Sequence, residues 1–349
     1  MENESPVAAL APEKAQAARF KGPIWTLIVV SPVIAEVLSG STRLSFLFAL
    51  IPEILVWGCG ALLCREMVRR WRAGGTSLLL LGLGLSIAEE FVIQQTSLAP
   101  LPFPGANAGY GRMGGVNWLY FLFMLGYESV WVVLVPVAVT ELIFPARRRQ
   151  PWLRKGGIIG VCVAFAVGCY IAWFTWTQRA LPAKMHVPPY HPPVTTIAAG
   201  VAAILLLICA AYGLRSFGLT GSDDSRAAVN PWVPGIAAFV LGVGWYQLIG
   251  LVFTPIHHPV WMPITAGCAG ALLTFALFLR LSAGRPWGDR PRWAAAFGAI
   301  MACMSVGYVS TAGWSRTDLE AKAILNVLAF AGLLLLARKV WQRKTEDQA

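Results

Sequence analysis

The sequence contains little charge. Asp, Glu, Lys and Arg make up only 13% of its 349 residues, whereas charged residues make up about 25% of a typical soluble domain. No polar stretch is long enough to form a separate soluble domain. Apolar runs of about 20 residues, the length needed to cross the hydrocarbon core of a bilayer, recur along the chain instead. These features exclude an ordinary soluble protein and predict one membrane domain.

Residues that commonly bind metals are also scarce. The seven cysteines fall within predicted helices and form no metal-type doublet, which indicates small packing residues. The four histidines, His186, His191, His257 and His258, fall into two segments predicted to lie outside the membrane. Together they form a candidate metal site on the outer face. The alternative is a pair of proline-stiffened loops at the membrane surface, because the spacing matches no fixed zinc motif.

The apolar runs predict an all-α, polytopic membrane protein with about ten transmembrane helices. The expected spans are 24–39, 44–68, 77–99, 116–144, 156–177, 195–218, 232–255, 263–282, 293–314 and 319–340. We divide the chain into a disordered cytoplasmic N-terminus (1–22), glutamate-bearing helices 1–4 (23–145), apolar helices 5–10 of the same membrane domain (156–340) and a cytoplasmic tail (341–349). Glu2 and Glu4 occupy what would be the positive region of a signal peptide, so none is expected.

The distribution of basic residues orients these spans. With the N-terminus inside, 22 of the 28 Lys and Arg residues fall on the inner side. The positive-inside rule therefore predicts that both termini are cytoplasmic, in a bacterial cytoplasmic (inner) membrane. The net charge of +11 is explained by anchoring to the inner leaflet. The expected partner is the lipid bilayer, not nucleic acid.

Carboxylates are absent from the depths of the apolar segments after about residue 156. Before residue 142, six glutamates lie inside such segments or at their ends: Glu36, Glu53, Glu89, Glu90, Glu128 and Glu141. A charged side chain costs about 2.5–3.5 kcal/mol at the centre of a membrane helix, and such residues usually face a bundle interior or a wet cavity. Six of them at one end of the chain indicate a site.

Depth separates these glutamates into groups. Glu89 and Glu128 each lie 12 residues into their predicted spans, which is about 18 Å at the helical rise and near the midplane. Glu141 lies close to the inner interface, where it can pair with basic residues.

Glu36 and Glu53 flank a short outer turn that contains Arg43. We expect this pair in an outer vestibule, with Arg43 or Arg112 as a partner.

Helical spacing predicts two polar faces that meet. Ser86, Glu90, Gln94 and Ser97 share one face of the third span, and Asn117, Tyr120, Tyr127, Glu128 and Trp131 form a stripe on the fourth. The resulting candidate ion, proton or substrate site contains Glu89, Glu90, Glu128, Gln94, Tyr127, Glu53 and Glu36. No basic residue lies at this depth, so a proton or divalent cation is the expected counter-charge. The alternative is a hydrogen-bond network that holds the helices together.

Several segments resemble those of a group of uncharacterised bacterial polytopic membrane proteins: EVLSGST (36–42), GCGALLCRE (58–66), IAEE (87–90), YGRMGGVNW (110–118) and ELIFP (141–145). Separately, the Glu89-Glu90 pair is similar to the paired glutamates of the CAAX-protease/bacteriocin-processing (CPBP) intramembrane metalloproteases. That resemblance implies a metal-dependent hydrolase. Gln94 stands where the family motif has Arg, and Tyr127 where it has His.

Three functions follow from these patterns. The first is proton- or cation-coupled transport of a small molecule, for which ten spans would suit a 5+5 inverted repeat. The second is a CPBP-like intramembrane hydrolase, and the third is a non-catalytic membrane scaffold. The Gly/Pro-rich segment 100–115 is either a plain loop or a re-entrant lid over the glutamates.

Overall fold

A computed structural model describes residues 21–99, 109–180, 182–183, 186, 188–217, 229–253, 258–282, 287–311 and 313–343. Its described part contains ten helical segments and one two-stranded hairpin. The helices are α1 (Gly22–Leu38), α2 (Leu44–Arg70), α3 (Gly75–Ile93), α4 (Trp118–Ile143), α5 (Lys155–Ala180), α6 (Val194–Gly213), α7 (Trp232–Phe253), α8 (Trp261–Ser282), α9 (Asp289–Val306) and α10 (Arg316–Gln342). The strands β1 (Arg112–Met113) and β2 (Val116–Asn117) pair antiparallel before α4.

The expected all-α, polytopic membrane fold is confirmed. Each of the ten predicted spans coincides with one helix, and eight of the described helices (α2–α8 and α10) are long and apolar enough to cross a membrane. Helix α1 is apolar but shorter. The boundaries differ most at the ends of α9, which ends at Val306 rather than at residue 314, and of α3, which ends at Ile93 rather than at residue 99. Glu89 and Glu90 therefore occupy the last turn of α3, not its middle.

Helices α3 and α4 form the centre of the bundle. In each, 61% of the most apolar 18-residue window is buried, compared with 11% in α5, α6 and α8. The peripheral helices expose rows of Leu, Val and Ile side chains, as expected for surfaces that face lipid. Close packing in the centre depends on small residues: a Cβ on Gly58 of α2 would lie 2.2 Å from the Ile28 carbonyl oxygen of α1. Carboxylates on α1–α4 are thus enclosed by protein.

Two sets of contacts define the ends of the bundle. At one end, Arg343 after α10 bridges Asp289 at the start of α9 and the Leu142 carbonyl at the end of α4. At the other, Lys322 of α10 donates to the Leu38 carbonyl of α1 (2.9 Å), and the Asp318 carboxylate accepts from the Ser45 backbone N–H (2.9 Å). We name these the inner and outer ends, after the predicted orientation.

The central helices are not regular α-helices. Within the described residues, π-helical turns occupy Val33–Leu38 of α1, Ile54–Gly58 of α2, Glu89–Ile93 of α3, Glu128–Leu134 of α4 and Trp176–Ala180 of α5. Prolines 32, 52, 136 and 182 lie within two residues of four of these turns. A proline has no N–H to donate, so the carbonyl of the preceding turn must find another partner, and local π geometry is one solution.

The first four of these π-turns each contain a glutamate or directly follow one. Such turns are frequent at functional sites.

Candidate functional site

Five glutamates from four helices come together near the outer half of the bundle. Glu36 is on α1, Glu53 on α2, Glu89 and Glu90 on α3, and Glu128 on α4. Glu53 is an electrostatic neighbour of Glu36 and Glu89, and Glu128 is an electrostatic neighbour of Glu90 and Glu89. We call these five residues the acidic cluster. The sequence singled out all five as site candidates, and the fold brings them into one group.

Burial of the acidic cluster is nearly complete at its centre. Glu89, Glu90 and Glu128 are 2%, 0% and 1% exposed. Trp57 lies beside Glu89 and Ser86 lies beside Glu128. Neither contact meets the geometry of a hydrogen bond. Both carboxylate oxygens of Glu89 and both of Glu128 are therefore buried without a partner among the described residues. Most buried polar atoms in proteins have a hydrogen-bond partner, so these exceptions require an explanation.

Glu36 and Glu90 are partly satisfied by hydroxyl and amide donors. Glu36 Oε2 accepts from the Thr42 hydroxyl at 2.6 Å. Glu90 Oε2 accepts from both the backbone N–H of Ser97 (2.9 Å) and its hydroxyl (2.6 Å). Glu90 Oε1 and Glu53 Oε2 are buried without a partner. Including Glu89 and Glu128, the described cluster has six buried carboxylate oxygens that accept no hydrogen bond.

No ion pair with a described basic residue neutralises these carboxylates. The expected pairing of Glu36 or Glu53 with Arg43 or Arg112 does not form. Arg43 lies over the ring of Phe46 (4.5 Å to the centroid). Arg112 donates to backbone carbonyls, including that of Leu98 at 2.8 Å. Partial burial lowers the pKa of the Arg112 guanidinium from its ordinary value, because desolvation disfavours the charged form.

The end of α3 changes the predicted polar face. A π-turn contains one more residue than a turn of α-helix. Here the backbone N–H groups of both Gln94 and Gln95 donate to the Glu89 carbonyl (2.9 and 3.1 Å). As a result Gln95 is buried at a positive φ of 59°, and Gln94 is only half-buried. Ser97 lies beyond the helix and reaches Glu90 through the following turns instead of by helical spacing.

Tyr127 lies beside the acidic cluster. Its hydroxyl donates to the Ala35 carbonyl of α1, and the Glu36 carboxylate is an electrostatic neighbour. Its ring packs against Trp57, Phe123 and Trp131. The fold thus places Tyr127 next to the cluster, at a point where α1, α2 and α4 meet.

Glutamates at the inner end have a different environment. Glu141, predicted to pair at the inner interface, accepts from Arg65 Nε at 3.1 Å and from Arg69 Nη2 at 2.6 Å. Glu66 pairs with Arg65 at 3.1 Å and also accepts from the backbone N–H groups of Trp152 (2.5 Å) and Leu153 (3.3 Å). The two carboxylates and their arginines define the inner network.

Arg65 is the centre of the inner network. It is fully buried and its guanidinium carbon lies 3.6 Å from the centroid of the Trp152 ring. It also donates to the carbonyls of Gln150 (2.7 Å), Arg148 (2.9 Å) and Arg147 (3.3 Å). A buried charge is tolerated when both its charge and its hydrogen bonds are satisfied, and Arg65 meets both conditions.

Sequence analysis overlooked three buried charged residues, Glu66, Asp318 and Lys322. Glu66 is a seventh glutamate within an apolar helix, hidden in the sequence by the arginines around it in CREMVRR. Lys322 is 3% exposed near the outer end and donates to the C-terminal turn of α1. A lysine among the apolar residues of α10 was a signal that could have identified this contact, because a cation stabilises the C-terminus of a neighbouring helix.

The proposed histidine site is only partly described. His257 lies outside the described residues, as do residues 100–108 of the predicted lid. His186 and His191 lie between α5 and α6, and His258 lies between α7 and α8. Among the described residues, no group of three or more His, Cys, Asp or Glu is arranged to hold a metal ion, and this includes the acidic cluster.

Comparisons with known proteins agree with the membrane fold. Neither the curated proteins nor the solved structures include a significant match. The match to a family model covers residues 26–342, far beyond the segments between 36 and 145 that carried the sequence resemblance. It gives no support for the similarity to CPBP metalloproteases. The chain therefore belongs to a family described as an uncharacterised membrane protein family.

Proposed function

We propose that the acidic cluster binds protons or monovalent cations and couples them to transport of a small molecule across a bacterial cytoplasmic membrane. The observation that carries this proposal is the set of six buried carboxylate oxygens without a hydrogen-bond partner. Ionisable residues inside a membrane domain mark ion and substrate pathways and proton relays. A proton or bound cation neutralises such a group where the protein supplies no basic partner.

The broken helices support the same function. Glu36 and the Glu89-Glu90 pair lie in the last turns of α1 and α3, where the helix dipole adds partial negative charge. Transporters commonly bind ions and substrates at irregular helical segments in the bundle interior. A 5+5 inverted repeat receives no support: α3 and α8 would be equivalent helices, yet 61% and 11% of their apolar windows are buried.

The other two functions have less support. A CPBP-like hydrolase would need convergent metal ligands, and the described residues offer no such group. The same finding favours protons or monovalent cations over a divalent ion, which requires several converging oxygens. A purely structural scaffold would be expected to satisfy its buried carboxylates, as the inner network does.

The test is charge displacement in reconstituted liposomes. Proteoliposomes on a solid-supported membrane receive jumps in pH or in Na⁺ and K⁺ concentration, and transient currents are recorded. We expect a saturable current in the wild type that is lost in Glu89→Gln and Glu128→Gln. Glu320→Gln is the matched control, because Glu320 is an exposed residue of α10. Currents of wild-type size in both Glu89→Gln and Glu128→Gln would contradict the proposal.

A further inference from the structure

An aromatic cluster adjoins the carboxylates. It consists of Trp57 on α2, Phe123, Tyr127 and Trp131 on α4, and Tyr246 on α7. All five rings are buried, and neighbouring ring centroids are 5.1–6.5 Å apart. Helix α7 thereby brings a residue from the glutamate-poor half of the chain to the site.

The aromatic and acidic clusters share a boundary. Trp57 lies beside Glu89. The Glu36 carboxylate is an electrostatic neighbour of the hydroxyls of both Tyr127 and Tyr246. Tyr120, one turn before Phe123 on α4, has Glu90 and Glu128 as electrostatic neighbours. Aromatic rings and negative charge therefore occupy the same enclosed region.

Ordinary core packing does not explain Tyr246. Its hydroxyl is buried without a hydrogen-bond partner in the described part of the chain, whereas a buried tyrosine usually finds one. Trp131, its neighbour at 5.1 Å, does satisfy its indole N–H, through the Ala299 carbonyl at 2.8 Å. Tyr246 thus adds an unused polar atom to a site that already has six.

This composition suits a diffuse organic cation better than an inorganic divalent ion. The described carboxylates do not converge as an inorganic divalent ion would require. They come from four helices, so a larger cation can contact several of them. Aromatic rings attract cations through their electron-rich faces, and this is how quaternary ammonium groups are commonly recognised.

We propose that the substrate of this site is a bulky organic cation, bound between the acidic cluster and the aromatic cluster. The inference rests on the proposed function, in which protons or inorganic cations supply the coupling. It adds that the transported molecule carries delocalised or alkyl-shielded positive charge. The carboxylates provide charge neutralisation, and Trp57 and Tyr246 provide the aromatic contact.

The test is direct binding of tritiated tetraphenylphosphonium to the full-length protein in detergent micelles, measured by scintillation proximity. We expect saturable binding that is displaced by unlabelled tetraphenylphosphonium and not by equal concentrations of K⁺. Glu89→Gln and Trp57→Leu should each weaken binding by about tenfold, which corresponds to about 1.4 kcal/mol. Trp232→Leu is the aromatic control, because Trp232 is 69% exposed on the lipid-facing surface.

Size-exclusion profiles check that each variant remains folded. Tyr246→Leu is the second variant if Trp57→Leu does not fold, and it should weaken binding by a similar factor. Equal binding in the wild type, Trp57→Leu and Tyr246→Leu would overturn the inference, because it would indicate partition into the micelle. Absent tetraphenylphosphonium binding with intact pH-jump currents overturns this inference and leaves the proposed function standing. Loss of both signals in the wild type overturns both.

Discussion

The acidic cluster and the inner network both bury glutamates among helices of the same chain, but they differ in the partners available to the carboxylates. Glu66 and Glu89 are each 2% exposed. Glu66 has an arginine partner and two backbone N–H donors, whereas both oxygens of Glu89 lack a partner among the described residues. Burial alone therefore does not identify a functional carboxylate. The difference lies in whether the fold supplies a compensating charge and hydrogen bonds.

The presence or absence of partners determines whether each region can stabilise the fold or bind a ligand. A buried charge with all its partners holds elements together, and removal of one partner is costly. A buried carboxylate without partners contributes little to holding the fold and is available to a ligand. The inner network joins α2, α4 and the segment after α4, so we interpret it as structural. The acidic cluster is the region to test for ligand binding.

The largest effect should come from removal of Arg65. Arg65→Ala leaves Glu66 and Glu141 buried without their shared partner, so the free energy of unfolding should fall by about 3–5 kcal/mol. The measurement is reversible unfolding by SDS in mixed micelles. Arg65→Lys should be intermediate, since it keeps the charge but not the planar set of donors. If the free energy of unfolding of Arg65→Ala equalled that of the wild type, it would contradict the structural role assigned to the inner network.

A smaller loss is expected for Glu66→Gln. The amide keeps one acceptor oxygen for the loop N–H groups but loses the charge that faces Arg65. The free energy of unfolding should fall by about 1–3 kcal/mol, measured in the same unfolding experiment.

Glu89→Gln applies the same chemical change to an equally buried glutamate in the other region. We expect the free energy of unfolding to change by less than about 1 kcal/mol, with stabilisation as the favoured direction, because burial of the glutamate requires a bound proton or cation and burial of the amide does not. Glu128→Gln should behave in the same way, since its oxygens also lack partners. If Glu89→Gln destabilised the protein as much as Glu66→Gln, the contrast between the two regions would disappear.

The smallest effect is expected at the surface. Glu320 pairs with Arg316 at 2.7 Å, but both side chains are mostly exposed. Glu320→Gln should change the free energy of unfolding by about 0.3–0.5 kcal/mol, as exposed helical ion pairs usually do. The variant should also retain the pH-jump currents, and it sets the background against which the other variants are compared.

Much of the fold was predictable from the apolar pattern. Each of the ten predicted spans coincides with a helix, and eight of the described helices are long and apolar enough to cross a membrane, because lipid requires long apolar helices and leaves few alternatives. The end of α3 was misplaced, since residues 94–99 contain no charge or proline to end the helix, yet they form turns that enclose Glu90. The π-turns were not predicted at all. Prolines near four of them gave a signal, but α3 has a π-turn without a nearby proline.

The site was predictable in part for the same reason. Charge scarcity makes every glutamate in an apolar run conspicuous, so Glu36, Glu53, Glu89, Glu90 and Glu128 could be selected from the sequence alone. Tyr246 could not be selected. It lies more than a hundred residues after Glu128 in an apolar helix, and nothing in the local pattern indicates that α7 packs against α4 at Phe123.

The sequence by itself determined that this protein is a helical membrane protein with glutamates concentrated in its first four helices. That information is local, because hydrophobicity and charge along one helix decide whether the segment can enter lipid. Only the tertiary structure decided which glutamates are paired. Arg65 and Glu141 are separated by 76 positions in the chain, and the aromatic neighbours of the acidic cluster come from three helices. Partners of a buried charge are set by helix packing, which no single helix encodes.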